Sequence, residues 1–139
     1  MISKKEITDF FKEKDIHLSG NISVLPVFNL QTEKYYFIVW SSDNLEKETK
    51  LFLIDKTSGS LQLLQSAAVR QVPSYSKPST LVALEKKTGT TGMAVWKPCR
   101  LSYSPFYPFW KIVEDNKVLF IDANNKLYSE NEISKETPG

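Results

Sequence analysis

Two stretches of this chain are nearly the same phrase. Leu51-Phe52-Leu53-Ile54-Asp55 matches Val118-Leu119-Phe120-Ile121-Asp122 at an offset of 67 residues in a chain of 139. Each is an apolar run closed by an aspartate, and each is followed by a turn and a leucine, Leu61 or Leu127. Each also follows an aromatic run, "YYFIVW" or "YPFWKIV". Apolar residues at successive positions, rather than at alternate ones, mark a strand covered on both faces. The offset is close to half the chain, so the simplest construction is a helix-plus-sheet unit used twice. The competing explanation is coincidence, since apolar strands ending in aspartate are common.

The surrounding sequence supplies the rest of such a unit. Ser3 caps a helix from about Lys4 to Lys14, with Glu6 at capping-box spacing and Ile2 and Ile7 placed as a hydrophobic staple. Ile7, Phe10 and Phe11 share its apolar face. Strand-like runs follow at Asn21–Leu30, Lys34–Ser42, Thr49–Lys56 and Leu61–Val72. Pro26 removes a ladder donor, which places it at an edge or a bulge. In the second half, "SKPSTLVALEKKTG" reads as a helix, with Pro78 near its start and Gly89 just past its end. "TLVAL" also fits a strand. Three more strand candidates follow, in "GMAVWKPCRLS", "SPFYPFWKIVED" and "KVLFIDA", and "NNKLYSE" closes a hairpin. The expected fold class is α+β, an antiparallel β-sheet with one or two helices on one face. The expected division is residues 1–66, 67–130 and a flexible tail, 131–139, or a single fused domain.

The pattern of helix, strand, aromatic strand and apolar strand, then "LIDKTSGSL", resembles the PepSY family. The likeness spans roughly Ser3 to Leu64, and again Pro78 to Tyr128. There "IDANNKL" lacks the glycine and Asn125 stands as the left-handed turn residue. The resemblance implies a helix packed on an antiparallel sheet. It also implies a non-enzymatic role in binding or restraining a peptidase.

Charge and composition narrow the partners. Eighteen basic and sixteen acidic residues give a net charge of +2, too even for a nucleic-acid or anionic-membrane surface. No stretch approaches the roughly 20 apolar residues that span a bilayer. The opening residues carry no apolar run suited to a signal peptide, so a cytoplasmic location is expected. Cys99 is the only cysteine and His17 the only histidine, so neither has companions for a metal site, and no cofactor is expected. Cys99 reads as a small buried hydrophobe, and His17 as a helix-end residue. "GTTG" lacks the lysine and spacing of a phosphate loop. Asp55 and Asp122 form the best carboxylate pair, but each reads more simply as a turn starter bonding its own backbone.

The densest aromatic segment is "SYSPFYPFW". Strand alternation puts Phe106, Pro108 and Trp110 on one face and Tyr107, Phe109 and Lys111 on the other. Either both faces are core, or one is a contact surface made by Tyr103, Phe106, Tyr107 and Phe109. A stacking surface for small ligands is the third reading. The function expected from all this is a small non-catalytic binding or regulatory protein, not an enzyme. It acts through contact with another protein, its own copy included. The alternative is a small-ligand module with an apolar, aromatic pocket between sheet and helix.

Overall fold

The computed structural model describes residues 2–18, 21–41, 48–97 and 104–135. The chain is α+β and its strand pairing is mostly antiparallel. It divides into two units, Met1–Pro26 with Tyr35–Val72, and Val27–Lys34 with Pro73–Gly139. The main division therefore falls at Val72–Pro73 rather than after Ser66. The segment Val27–Lys34, a strand end with the turn that follows it, belongs to the second unit.

The first unit opens with α1 (Lys4–Glu13). Ser3 Oγ accepts the Glu6 N–H at 3.1 Å, and Glu6 Oε1 accepts the Ser3 N–H at 3.2 Å. Two of the helix's orphan donors are thus satisfied reciprocally. The chain leaves through Asp15, at φ 57°. Ile7 and Phe11 are fully buried against Phe37 and Val39 of β2 (Lys34–Ser41) and Phe52 and Ile54 of β3 (Thr49–Thr57). The Phe11 and Phe52 rings lie 4.8 Å apart. Each such side chain contributes about 1.5–3 kcal/mol by leaving water. Ile22 and Val24 of β1 (Ile22–Asn29) and Leu61 and Leu63 of β4 (Ser60–Val69) border the cluster. Hydrogen-bonded order in this unit is β4-β3-β2-β1.

The β3–β4 hairpin turns on Ser58 and Gly59, at φ 52° and 82°. Positive φ at both central residues suits the right-handed twist of the strands. Asp55 therefore does not begin this turn, contrary to the sequence reading. It lies within β3, opposite Tyr36 and Gln62. Pro26 ends the first unit's share of β1, and β5 (Met93–Trp96) meets that strand only at Phe28 and Asn29. The missing N–H thus falls where β5 makes no demand for it.

In the second unit the end of β1 pairs in parallel with β5. The sheet continues antiparallel through β6 (Phe109–Glu114), β7 (Lys117–Ile121) and β8 (Leu127–Ser129). Asp115 and Asn116, at φ 49° and 65°, make the β6–β7 turn. The segment "TLVAL" is helical, within α2 (Ser79–Thr88), and Gly89 at φ 70° ends it. Pro78 offers α2 no side-chain cap. Asn125, from the loop before β8, supplies one: its Oδ1 accepts the Thr80 N–H at 2.9 Å and the Ser79 hydroxyl at 3.2 Å. Asn125 sits at φ 66°, the left-handed role expected for it.

The tail expected at 131–139 is corrected over 131–135. A short helix, α3 (Glu130–Lys135), begins there, and Ile133 is buried with Val95, Phe109, Phe120 and Tyr128. Ser129 Oγ accepts the Glu132 N–H at 3.1 Å, and Glu132 Oε1 accepts the Ser129 N–H at 3.0 Å.

Candidate functional site

The aromatic segment is core along most of its described length. Ser104 to Tyr107 form a turn rather than a strand. The Tyr107 N–H donates to the Ser104 carbonyl at 3.0 Å, and Pro105 stands second in the turn, where its fixed φ fits. Alternation begins only at Phe109. Phe106 and Phe109 are buried, so neither presents the contact surface expected of them. Trp110 is 8% exposed. Phe109 and Trp110 point to opposite faces of β6, and both side chains are covered. Ile133 of α3 joins Phe109's cluster. On the other side α2 packs on β6, and Lys87 reaches Glu114, which alternates with Trp110 and Ile112, at 3.0 Å. The strand is covered at Phe109 and Trp110, while Val113, farther along the Phe109 face, is 46% exposed. Tyr107 alone of the described candidates is exposed, at 55%. Tyr103 lies outside the described residues, as does Cys99.

Beside Tyr107, the Tyr75 hydroxyl donates to the Phe106 carbonyl at 2.8 Å. Burial raises the Tyr75 phenol well above its ordinary pKa of 10.0, with the neighbouring Tyr107 adding to the rise. It is a neutral donor pinning the turn.

The two aspartates have different fates. Asp122 Oδ1 accepts the N–H groups of Asn124 and Lys126 at 2.8 and 3.0 Å, and Oδ2 accepts the Tyr128 hydroxyl at 3.2 Å. That carboxylate builds the β7–β8 loop, and through it holds Asn125 where α2 needs a cap. Asp55 is 8% exposed and its Oδ1 is buried without a hydrogen-bond partner. Such an atom costs about 1–3 kcal/mol of lost hydration. If the two aspartates are set in register, Ile54 and Ile121 coincide. Their cross-strand partners are then Phe37 and Trp110.

The feature the sequence reading passed over is the outer edge of β4. Among the described residues β4 bonds to β3 and to no other strand. From Ser60 to Val69 it carries no charge and no proline, in a chain that is 24% charged. Natural edge strands are usually blunted by lysine, proline or brevity. Here the protection is one bulge, where Leu64 is the extra residue between the Ile54–Leu63 and Leu53–Gln65 pairs. A two-residue hairpin closes on a doubly bonded pair, here Thr57 and Ser60, and bonded pairs then alternate. Counting along the strand and across the bulge, Leu61, Leu63, Ser66 and Ala68 turn their N–H and C=O groups outward. Gln62, Leu64, Gln65, Ser66 and Ala68 are exposed. The signal was present in "SLQLLQSAAV" as a long neutral run of strand length.

The hollow beside α2, about 400 Å³, opens to solvent and is lined mainly by Lys77, Glu85, Lys86, Thr90 and Thr91. Glu85 Oε2 accepts from Lys77 Nζ and from the Gly92 N–H, both at 2.7 Å, and these bonds hold its carboxyl below its ordinary pKa. The hollow's lining comes from Lys77, α2 and the loop after it, so it is not a pocket between sheet and helix. Among the described residues, no helix is long and apolar enough to cross a membrane. No family model, curated protein or solved structure matches the chain.

Proposed function

We propose that this chain is a small non-catalytic binding or regulatory protein that works by protein–protein contact. One observation carries the proposal: β4 offers an exposed, uncharged strand edge whose outward main-chain groups meet no strand among the described residues. Such an edge is chemically suited to an extended polypeptide strand, because each free N–H and C=O is satisfied by the opposite group of another strand. Tyr107 is a second exposed candidate for the same kind of contact, on the second unit. The duplication belongs to the proposal as well. In each unit a helix, α1 or α2, is followed by strands, and Asp55 and Asp122 lie in or just after the third strand that follows it. The PepSY likeness rests on the same element order. The reading as a small-ligand module has no cavity among those described that favours it.

The test uses the purified full chain as bait, beside a variant carrying Leu64→Lys and Gln65→Lys. Bound proteins, further copies of the chain included, should be retained by the natural sequence and lost by the variant at unchanged melting temperature. Identical retention by both would remove β4 as the contact and leave the proposal without its support.

A further inference from the structure

The β4 edge has a particular fit with itself, and we infer that its occupant is a second copy of this chain, paired antiparallel about a twofold axis at Leu64–Gln65. This rests on the contact reading above and names its partner. The outward-facing residues decide the register. Leu61 bonds with Ala68 of the second copy, and Leu63 with Ser66 of the second copy, so every outward group described above finds a like-directed partner. No other alignment centred on the strand pairs all of them.

Side chains agree with that register. Leu61, Leu63, Ser66 and Ala68 share the α1 side of the sheet: Leu61 and Leu63 border the α1 cluster, and Ser66 pairs with Phe52, which lies in it. Each leucine therefore meets a small residue across the dyad, and large-to-small pairs pack without clash. On the opposite side Gln62 meets Ala67, and Leu64 meets Gln65. No position brings charge against like charge, because the strand has none. Arg70, the first charge beyond Val69, lies opposite Gly59 of the second copy. A strand carrying even one lysine near the dyad would place it against its own twin. Leu64, 43% exposed in the single chain, gains cover from the pairing.

Sedimentation equilibrium of the full chain across a dilution series tests this. The natural sequence should approach twice the 15.9 kDa chain mass as concentration rises. Leu64→Lys with Gln65→Lys sets lysine against lysine at the dyad and should hold the mass at one chain. Leu64→Glu with Gln65→Glu should do the same, and an equimolar mixture of the two should recover the doubled mass. Ala68→Pro removes an outward N–H without touching the β3 ladder, and should also give single chains. Circular dichroism melts show whether each variant is folded. A natural chain that stays at single mass at the highest concentration overturns the inference, and so does a doubled mass indifferent to these variants. If the natural chain is single but its β4 variants lose a different protein in the capture experiment, self-pairing is wrong and the contact reading survives. If they lose nothing there either, both fall.

Discussion

The last strand of each unit meets the solvent in a different way. In the first unit, β4 runs for ten residues, is uncharged throughout, and has no described strand beyond it. In the second unit, β8 is three residues long and passes straight into α3, whose first turn carries Glu130 and Glu132. A three-residue edge offers too few main-chain groups to template a partner, and a helix directly after it ends the ladder. The helices show the reverse contrast. α1 is capped by its own neighbours, Ser3 and Glu6, whereas α2 borrows its cap from Asn125, 45 positions away. The second unit thus has its ends tied together, and the first leaves one end open. An open edge is a hazard to a protein that has no use for it, and the proposed contact rests on this difference.

The comparison can be strained most severely in the cores. Setting the aspartates in register makes Phe37 and Trp110 counterparts, buried at 5% and 8%. Truncating either to alanine should cost about 3–5 kcal/mol, a large part of a small domain's stability. Urea unfolding followed by tryptophan fluorescence would measure both. A loss below about 1 kcal/mol for one of them would show that the two positions are not equivalent.

Next in size are the caps. Asn125→Gly keeps the left-handed backbone and removes the oxygen that caps α2, and Ser3→Ala removes the corresponding oxygen from α1. Each should cost about 1 kcal/mol. If Asn125→Gly costs nothing, the second unit is not tied together through that loop, and the contrast between the units weakens. Tyr107→Ala should change stability by less than about 1 kcal/mol, because the side chain is mostly in water. A cooperative loss of structure would instead make Tyr107 part of the core.

The smallest effect is electrostatic, and both units share it. Glu6 is lowered in pKa chiefly by Lys56 and then by the Ser3 N–H, and Glu85 chiefly by Lys77 and then by the Gly92 N–H. A carboxyl lowered on folding stabilises the fold above its unfolded value, near 4.5, and loses that contribution as pH falls through the lower folded value. Lys77→Met should therefore flatten part of the acid limb of a stability–pH curve while changing the neutral limb less than a core variant does. An unchanged acid limb would show that Lys77 does not hold Glu85 in solution.

Much of this arrangement was legible in the sequence because the determinants are local. The Ser3–Glu6 box, Gly89 at the end of α2 and the apolar runs of β3 and β7 each depend on spacing within a few residues. The aromatic segment misled because alternation presumes a strand, and Pro105 turns Ser104–Tyr107 aside before the strand begins. Asp55 misled because its likeness to Asp122 is one of sequence, whereas the turn is set three and four residues later by Ser58 and Gly59. α3 was hidden by its shortness, although "SENE" carries the same serine–glutamate spacing as the start of α1. Asn125's hold on α2 is long-range, and no local pattern announces it. The open edge was legible only in part: "SLQLLQSAAV" is a neutral run of strand length, but strand order decides which strand is last.

Amide hydrogen exchange, read residue by residue by NMR at rising protein concentration, addresses β4 most directly. Gln62, Gln65 and Ala67 should be protected at every concentration, because their N–H groups belong to the ladder with β3. Leu61, Leu63, Ser66 and Ala68 should exchange freely in dilute solution and slow as the protein is concentrated, while β8 stays as it was. Outward amides that are already slow when dilute would show the edge to be covered within the single chain. Outward amides that remain fast at every concentration would show that no second copy binds there.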